Sequence, residues 1–154
     1  VQSMAEVIVG AEKYEIGHAR PPRRMDGEFS NTEEAIAKAV MFTAQHMHPR
    51  AIVALTESGL TPLWMSRMRA DIPIFALTRQ EVTRSRVTLY RGVYPVLFDV
   101  TTSNPAQLYQ AIFDQLLERG LVDLGDQIIL TKGDLSGVQG GTNSMQILRV
   151  SRSS

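Results

Sequence analysis

The stretch Thr56-Glu57-Ser58-Gly59-Leu60-Thr61 gathers three hydroxyls and a glycine between an apolar run, Ala51 to Leu55, and a helix-like segment opened by Pro62. A helix start presents backbone N–H groups that lack intrahelical acceptors, together with the positive end of the helix dipole. A hydroxyl-rich loop at that place suits a phosphate, and the glycine lets the backbone come close to it. The stretch has no lysine and lacks the GxxxxGK[ST] spacing, so it is not a Walker loop. Two readings stand: a strand-to-helix turn capped by Ser or Thr, with Pro62 as the first helical residue, or an anion seat. Glu57 opposes the second reading if its side chain points inward.

A second loop runs from Lys132 to Asn143 and contains Gly133, Asp134, Ser136, Gly137, Gly140 and Gly141. Four glycines in nine positions, interspersed with hydroxyl and amide side chains, fit either a flap over a ligand or a long turn into an edge strand. No catalytic set accompanies these loops. Glu57 and Asp134 are the only acids near them, and no Ser-His-Asp or G-x-S-x-G pattern occurs. His18, His46 and His48 are scattered without metal-ligand spacing, so no metal is expected. Arg79, Arg84, Arg86 and Arg91 form a basic stretch suited to anions, to ion pairs or to a subunit contact.

The elements that must position these loops alternate between two types. "SNTEEAIAKAVMFTAQHM" predicts a helix with Ser30 or Asn31 as N-cap, Glu33 and Glu34 in its first turn, and Ala35, Ile36, Ala39, Val40, Phe42 and Met47 on its apolar face. "AIVAL" predicts a buried parallel strand, followed by "PLWMSRMRA" as a helix in which Trp64, Met65 and Met68 face core or interface. Strands at "IPIFAL" and "VYPVLFD" follow, separated by "RQEVTRSRVTLY" as a short helix or turn. A capped amphipathic helix, "NPAQLYQAIFDQLLERG", leads to strands at "GDQIILTKGD" and "SMQILRV". This alternation predicts an α/β three-layer domain with a five-stranded, mostly parallel sheet and helices on both faces. The last strand follows its predecessor with no helix between them, so it is expected to be antiparallel.

Upstream, residues 1–15 read as a helix and residues 16–29, rich in proline, glycine and arginine, as a linker or arm; the domain proper spans 30–152. A start at Val1 suggests a fragment. The 154 residues, 44% hydrophobic and 21% charged, fit one globular core. Sixteen basic and sixteen acidic residues cancel, which gives no overall attraction for nucleic acid or membrane. Absence of cysteine excludes disulfides and thiolate chemistry and fits a cytoplasmic location.

Taken in order, "GAEKY", "NTEEAIAKAV", "ALTESGLTPLWMSR", "PIFALTRQEVTRSRVTLYRGVYPV" and "GDQIILTKGDLSGVQGGTNSMQILRV" resemble the C-terminal domain of pyruvate kinase, of the bacterial type activated by sugar monophosphates or AMP. The resemblance implies a regulatory and oligomerisation domain. Catalysis, phosphoryl transfer from phosphoenolpyruvate to ADP with Mg²⁺ and K⁺, would lie in a separate barrel, so this chain alone would be inactive and need no cofactor. It implies an effector phosphate loop at Thr56, Glu57, Ser58, Gly59 and Thr61 and an effector loop at about Gly133 to Gly141. The implied partners are a phosphorylated sugar or nucleotide, the other pyruvate kinase domains, and further copies of the chain, in a tetramer for the parent and a dimer for the fragment. Arg79 to Tyr94 and the last strand are the expected contact surface. Members that bind fructose 1,6-bisphosphate add an aromatic and a basic residue near the long helix. Here "TTSNPAQLYQ" offers neither Trp nor Arg, which implies a monophosphate. Leu60 stands where close relatives often carry a basic residue.

Overall fold

The computed structural model describes residues 27–68, 70–99, 101–102, 104–133 and 141–153. The expected helix at 1–15 and most of the arm at 16–29 lie outside them. The elements, in chain order, are α1 (Thr32–Met47), β1 (Ala51–Leu55), α2 (Leu60–Ser66), β2 (Ile74–Thr78), α3 (Glu81–Val87), β3 (Val93–Leu97), α4 (Pro105–Glu118), β4 (Gln127–Gly133) and β5 (Thr142–Arg149).

The strands form one five-stranded sheet in the order β3-β2-β1-β4-β5. β1 pairs in parallel with β2 on one side and β4 on the other, and β3 continues in parallel beyond β2. β5 runs antiparallel to β4, with a register irregularity at Lys132/Gly133. The α/β class, the strand count and the antiparallel last strand are therefore as expected from the sequence.

Alternation along the central strands divides the core in two. Ala51 and Val53 of β1 and Ile128 and Leu130 of β4 face α4, where Ile112, Phe113 and Leu116 meet them. Ile52, Ala54 and Ile129 face the opposite way, against α1 through Ala37, Val40, Met41 and Ala44, and against Met65 of α2 and Val87 of α3. Both faces of β1 are buried, which explains its uninterrupted apolar run. The placement of helices follows from crossover handedness: the chain moves outward from β1 to β3 with α2 and α3 on one face, then reverses to reach β4 with α4 on the other.

Two local expectations need correcting. The buried side of α1 is Glu33, Glu34, Ala37, Val40, Met41 and Ala44, whereas Phe42 and Met47 of the expected apolar face are 55% and 40% exposed. The helix packs on the sheet through Ala37, Val40, Met41 and Ala44, so its inward face is rotated away from Phe42 and Met47, which hydrophobicity alone assigns to it. α2 begins at Leu60, not Pro62, and its N-cap is Gly59 in a left-handed conformation (φ 81°), with no side-chain cap bond of its own.

Candidate functional site

β1 ends at Leu55, and the chain must turn sharply to start α2 over the sheet edge. Two hydroxyls shape that turn. Gly59 N–H donates to Thr56 Oγ1 at 2.8 Å, and Leu60 N–H donates to Ser58 Oγ at 3.2 Å. Each hydroxyl accepts a loop amide and keeps its own hydrogen as a donor. The hydroxyls of these two residues could thus meet an anion as O–H groups polarised by the N–H groups they accept. Pro62, third in the helix, has no N–H, which leaves Thr61 as the remaining first-turn donor beyond Leu60.

Thr61 itself is buried, 1% exposed, and its Oγ1 donates to Thr142 Oγ1 at 2.9 Å. Thr142 is the first residue of β5, so this bond ties the β1 loop to the downstream anchor of the glycine-rich loop. The upstream anchor is Gly133, which ends β4 and pairs with Thr142 across the irregular register. A Cβ at Gly133 would collide with the Gly141 carbonyl, so the pairing requires glycine. Asp134, Ser136, Gly137 and Gly140 lie outside the described residues.

The loop after β1 and the two ends of the glycine-rich segment, Gly133 and Thr142, therefore meet at one place, beside the carboxyl ends of β1 and β4. There the chain reverses its direction across the sheet: the β1 connection leaves toward β2, and β4 arrives from β3 on the other side. In open α/β sheets that switch point is where the crevice for ligands forms.

Glu57 is held away from it. Its carboxylate lies 3.6 Å from Arg79 Nε and accepts from Gln80 Nε2 at 3.1 Å, both residues belonging to the exit from β2. The objection to an anion seat that Glu57 raised is answered by this placement. The loop backbone is gripped from the same side: Thr83 Oγ1 donates to the Glu57 carbonyl at 2.6 Å and Arg86 Nη1 to the Ser58 carbonyl at 3.1 Å. Of these, the sequence marked Arg79 and Arg86 only as part of a basic stretch, Thr142 only as a member of the second loop, and Thr83 not at all. Thr83 and Arg86 stand three apart on one helix, the spacing that puts two donors on a common face, and nothing else in the sequence points to them.

Elsewhere, His46 Nδ1 lies 2.8 Å from the Phe42 carbonyl and His48 forms the left-handed C-cap of α1. Among the described residues no group of three His, Asp or Glu side chains is placed to hold a metal ion. Trp64, Met65 and Met68 pack in or against the core on the α1 side, with Arg67 over the Trp64 ring at 5.0 Å.

Comparison with known proteins bears on this geometry. The family model described as pyruvate kinase, alpha/beta domain, matches residues 34–148, from the first turn of α1 to near the end of β5. The chain belongs to that family. Among full-length relatives, pyruvate kinase II of Salmonella typhimurium is 40% identical over 151 residues, which is 97% of this chain and 31% of the relative. A pyruvate kinase of Buchnera aphidicola (subspecies Schizaphis graminum) is 41% identical with the same coverage, and that of Thermotoga maritima is 32% identical over 83% of this chain and 27% of the relative. The chain thus spans less than a third of the length of the relatives it matches. No helix among the described residues is long and apolar enough to cross a membrane.

Proposed function

We propose that this pyruvate kinase α/β domain is a regulatory module that binds a phosphorylated effector, a sugar monophosphate or AMP, at the loop Thr56, Glu57, Ser58, Gly59 and Thr61, with the Gly133–Gly141 loop closing over it. The observation that carries the reading is that the loop after β1 meets the two strand ends that anchor the second loop, Gly133 and Thr142, at the β1/β4 switch point, joined by the Thr61–Thr142 bond, with the Glu57 carboxylate drawn off by Arg79. Thr56 and Ser58 supply hydroxyl donors, and the α2 start supplies a favourable field. The phosphoryl transfer that names the relatives belongs, in this reading, to a catalytic part beyond these residues, and the chain alone has no kinase activity.

Titration calorimetry with glucose 6-phosphate, ribose 5-phosphate, AMP and fructose 1,6-bisphosphate tests the reading. Saturable binding of a monophosphate, abolished in Ser58→Asp by like-charge repulsion, is expected. The bisphosphate should bind no more tightly than the monophosphates, because the start of α4 supplies no cationic side chain for a second phosphate. Absence of saturable binding, or binding indifferent to Ser58→Asp, sinks the effector site.

A second reading, contact between copies of the chain, is favoured by a separate observation. Val82, Leu89 and Tyr94, on and after α3 and on β3, are 70%, 84% and 56% exposed. We propose that this edge contributes to contact between copies of the chain; the two readings are compatible.

A further inference from the structure

We infer that Thr83, with Arg86, is a positioning residue for the phosphate loop: α3 holds the loop backbone from outside the crevice and so sets effector affinity without touching the effector. The inference rests on the effector-site reading above.

Thr83 is buried, 4% exposed, and its hydroxyl is spent on the Glu57 carbonyl at 2.6 Å. One turn later, Arg86 reaches the next carbonyl, Ser58, at 3.1 Å. A peptide unit is planar and trans, so fixing a carbonyl also fixes the N–H of the following residue, which points the other way. Holding the Glu57 and Ser58 carbonyls against α3 therefore aims the Ser58 and Gly59 N–H groups away from α3. The Gly59 N–H is found where this requires, on Thr56 Oγ1. The hydroxyl that would meet the phosphate is thus oriented through a chain that starts at α3.

The fit between loop and helix leaves no slack. A Cβ on Gly59 would lie 3.1 Å from Val87 Cγ1 and 3.3 Å from Thr83 Cγ2, and the φ of 81° disfavours any side chain there. With the Thr83 hydroxyl removed, the part-buried Glu57 carbonyl loses this partner, and the loop gains reason to leave this conformation. If the competent conformation is only fractionally populated, apparent affinity falls by that fraction.

Thr83→Val removes the hydroxyl and keeps the methyl contact with Gly59, whereas Thr83→Ser keeps the hydroxyl. Two measurements on the whole chain separate positioning from general stability: amide hydrogen exchange resolved to residues 57–61, and glucose 6-phosphate titration. Thr83→Val should speed exchange in the loop while leaving β1 and β4 protected, and weaken binding about tenfold. Thr83→Ser should restore both to near the wild-type values, and Arg86→Gln should show the same pattern at smaller amplitude, its bond being exposed to solvent. Loop exchange and affinity unchanged in Thr83→Val overturn the inference, as does exchange that rises uniformly across the sheet. Where another member of the panel binds in place of glucose 6-phosphate, the titration is run with it; failure of the wild type to bind any of them sinks the effector reading and the affinity half of this one with it. The exchange measurement decides the backbone half independently.

Discussion

At the scale of residues, the candidate seat is a problem in placing one negative charge. Glu57 lies inside the loop proposed to receive an anion, and Arg79 with Gln80 keeps its carboxylate on the β2 side. Arg79→Ala should free that carboxylate and weaken monophosphate binding a few-fold, an effect that shrinks as salt rises. Folding stability should hardly change, because both partners are close to half exposed (43% and 41%) and such pairs contribute little. Calorimetric titration at two ionic strengths reads both expectations. The Thr61–Thr142 bond is of another kind, a buried hydroxyl pair. Thr61→Val or Thr142→Val alone should destabilise by about 1–2 kcal/mol in urea unfolding, since each leaves its partner orphaned. The double variant should be less destabilised than the two singles summed, which a double-mutant cycle would measure.

At the scale of elements, α1 shows how a helix start is secured. Asn31 accepts from Glu34 N–H, and the Glu34 carboxylate accepts from the Ser30 N–H at 2.8 Å and from the Ser30 hydroxyl, and pairs with Lys38 at 2.7 Å. The Lys38 and Ser30 contacts hold its carboxyl at about 2, below the usual 4.5. A depressed folded value means that this contribution is complete above the unfolded value and is lost as pH falls through the folded one. The wild type should therefore lose stability more steeply than Glu34→Gln between about pH 4.5 and pH 2, which thermal unfolding across that window would show. Burial shifts neighbouring Glu33 the other way, so its ionised form opposes folding at neutral pH and Glu33→Gln should not share the effect. The caps were legible because they are local: Asn31 and the acidic pair are read from adjacent positions. The buried face of α1 was not, because Phe42 and Ala37 are sorted by the space above β1 and β4, and no periodicity carries that information. In the same way, the strand-to-helix loop and its hydroxyls stood out in the sequence. Thr83, Arg86 and Thr142 reach it only through tertiary approach, from 26, 28 and 81 positions away from their partners.

At the scale of the whole molecule, the order β3-β2-β1-β4-β5 puts the loops of the candidate seat at the centre of the sheet and the exposed apolar residues of α3 and β3 at its rim. Pro95 in β3 withholds one N–H from that edge, a feature that discourages open-ended strand addition. If the rim is a contact between copies, sedimentation at rising concentration should show self-association that Leu89→Glu weakens while the wild-type affinity for a monophosphate is retained. The strand count and the parallel course were readable from alternation and uninterrupted apolar runs. The meeting of the first loop with the ends of the second was not, because it depends on β4 inserting beside β1 after a crossover that passes both β2 and β1. One consequence follows from the pairing of Gly133 with Thr142 across adjacent antiparallel strands. The ends of the intervening segment are set by the sheet and not by the segment, so its length and composition are free to drift. Doubling such a connection costs only about 0.6 kcal/mol of closure entropy. Under the effector reading proposed above, one unchanged scaffold could be retuned to a different phosphorylated ligand by rewriting this single connection.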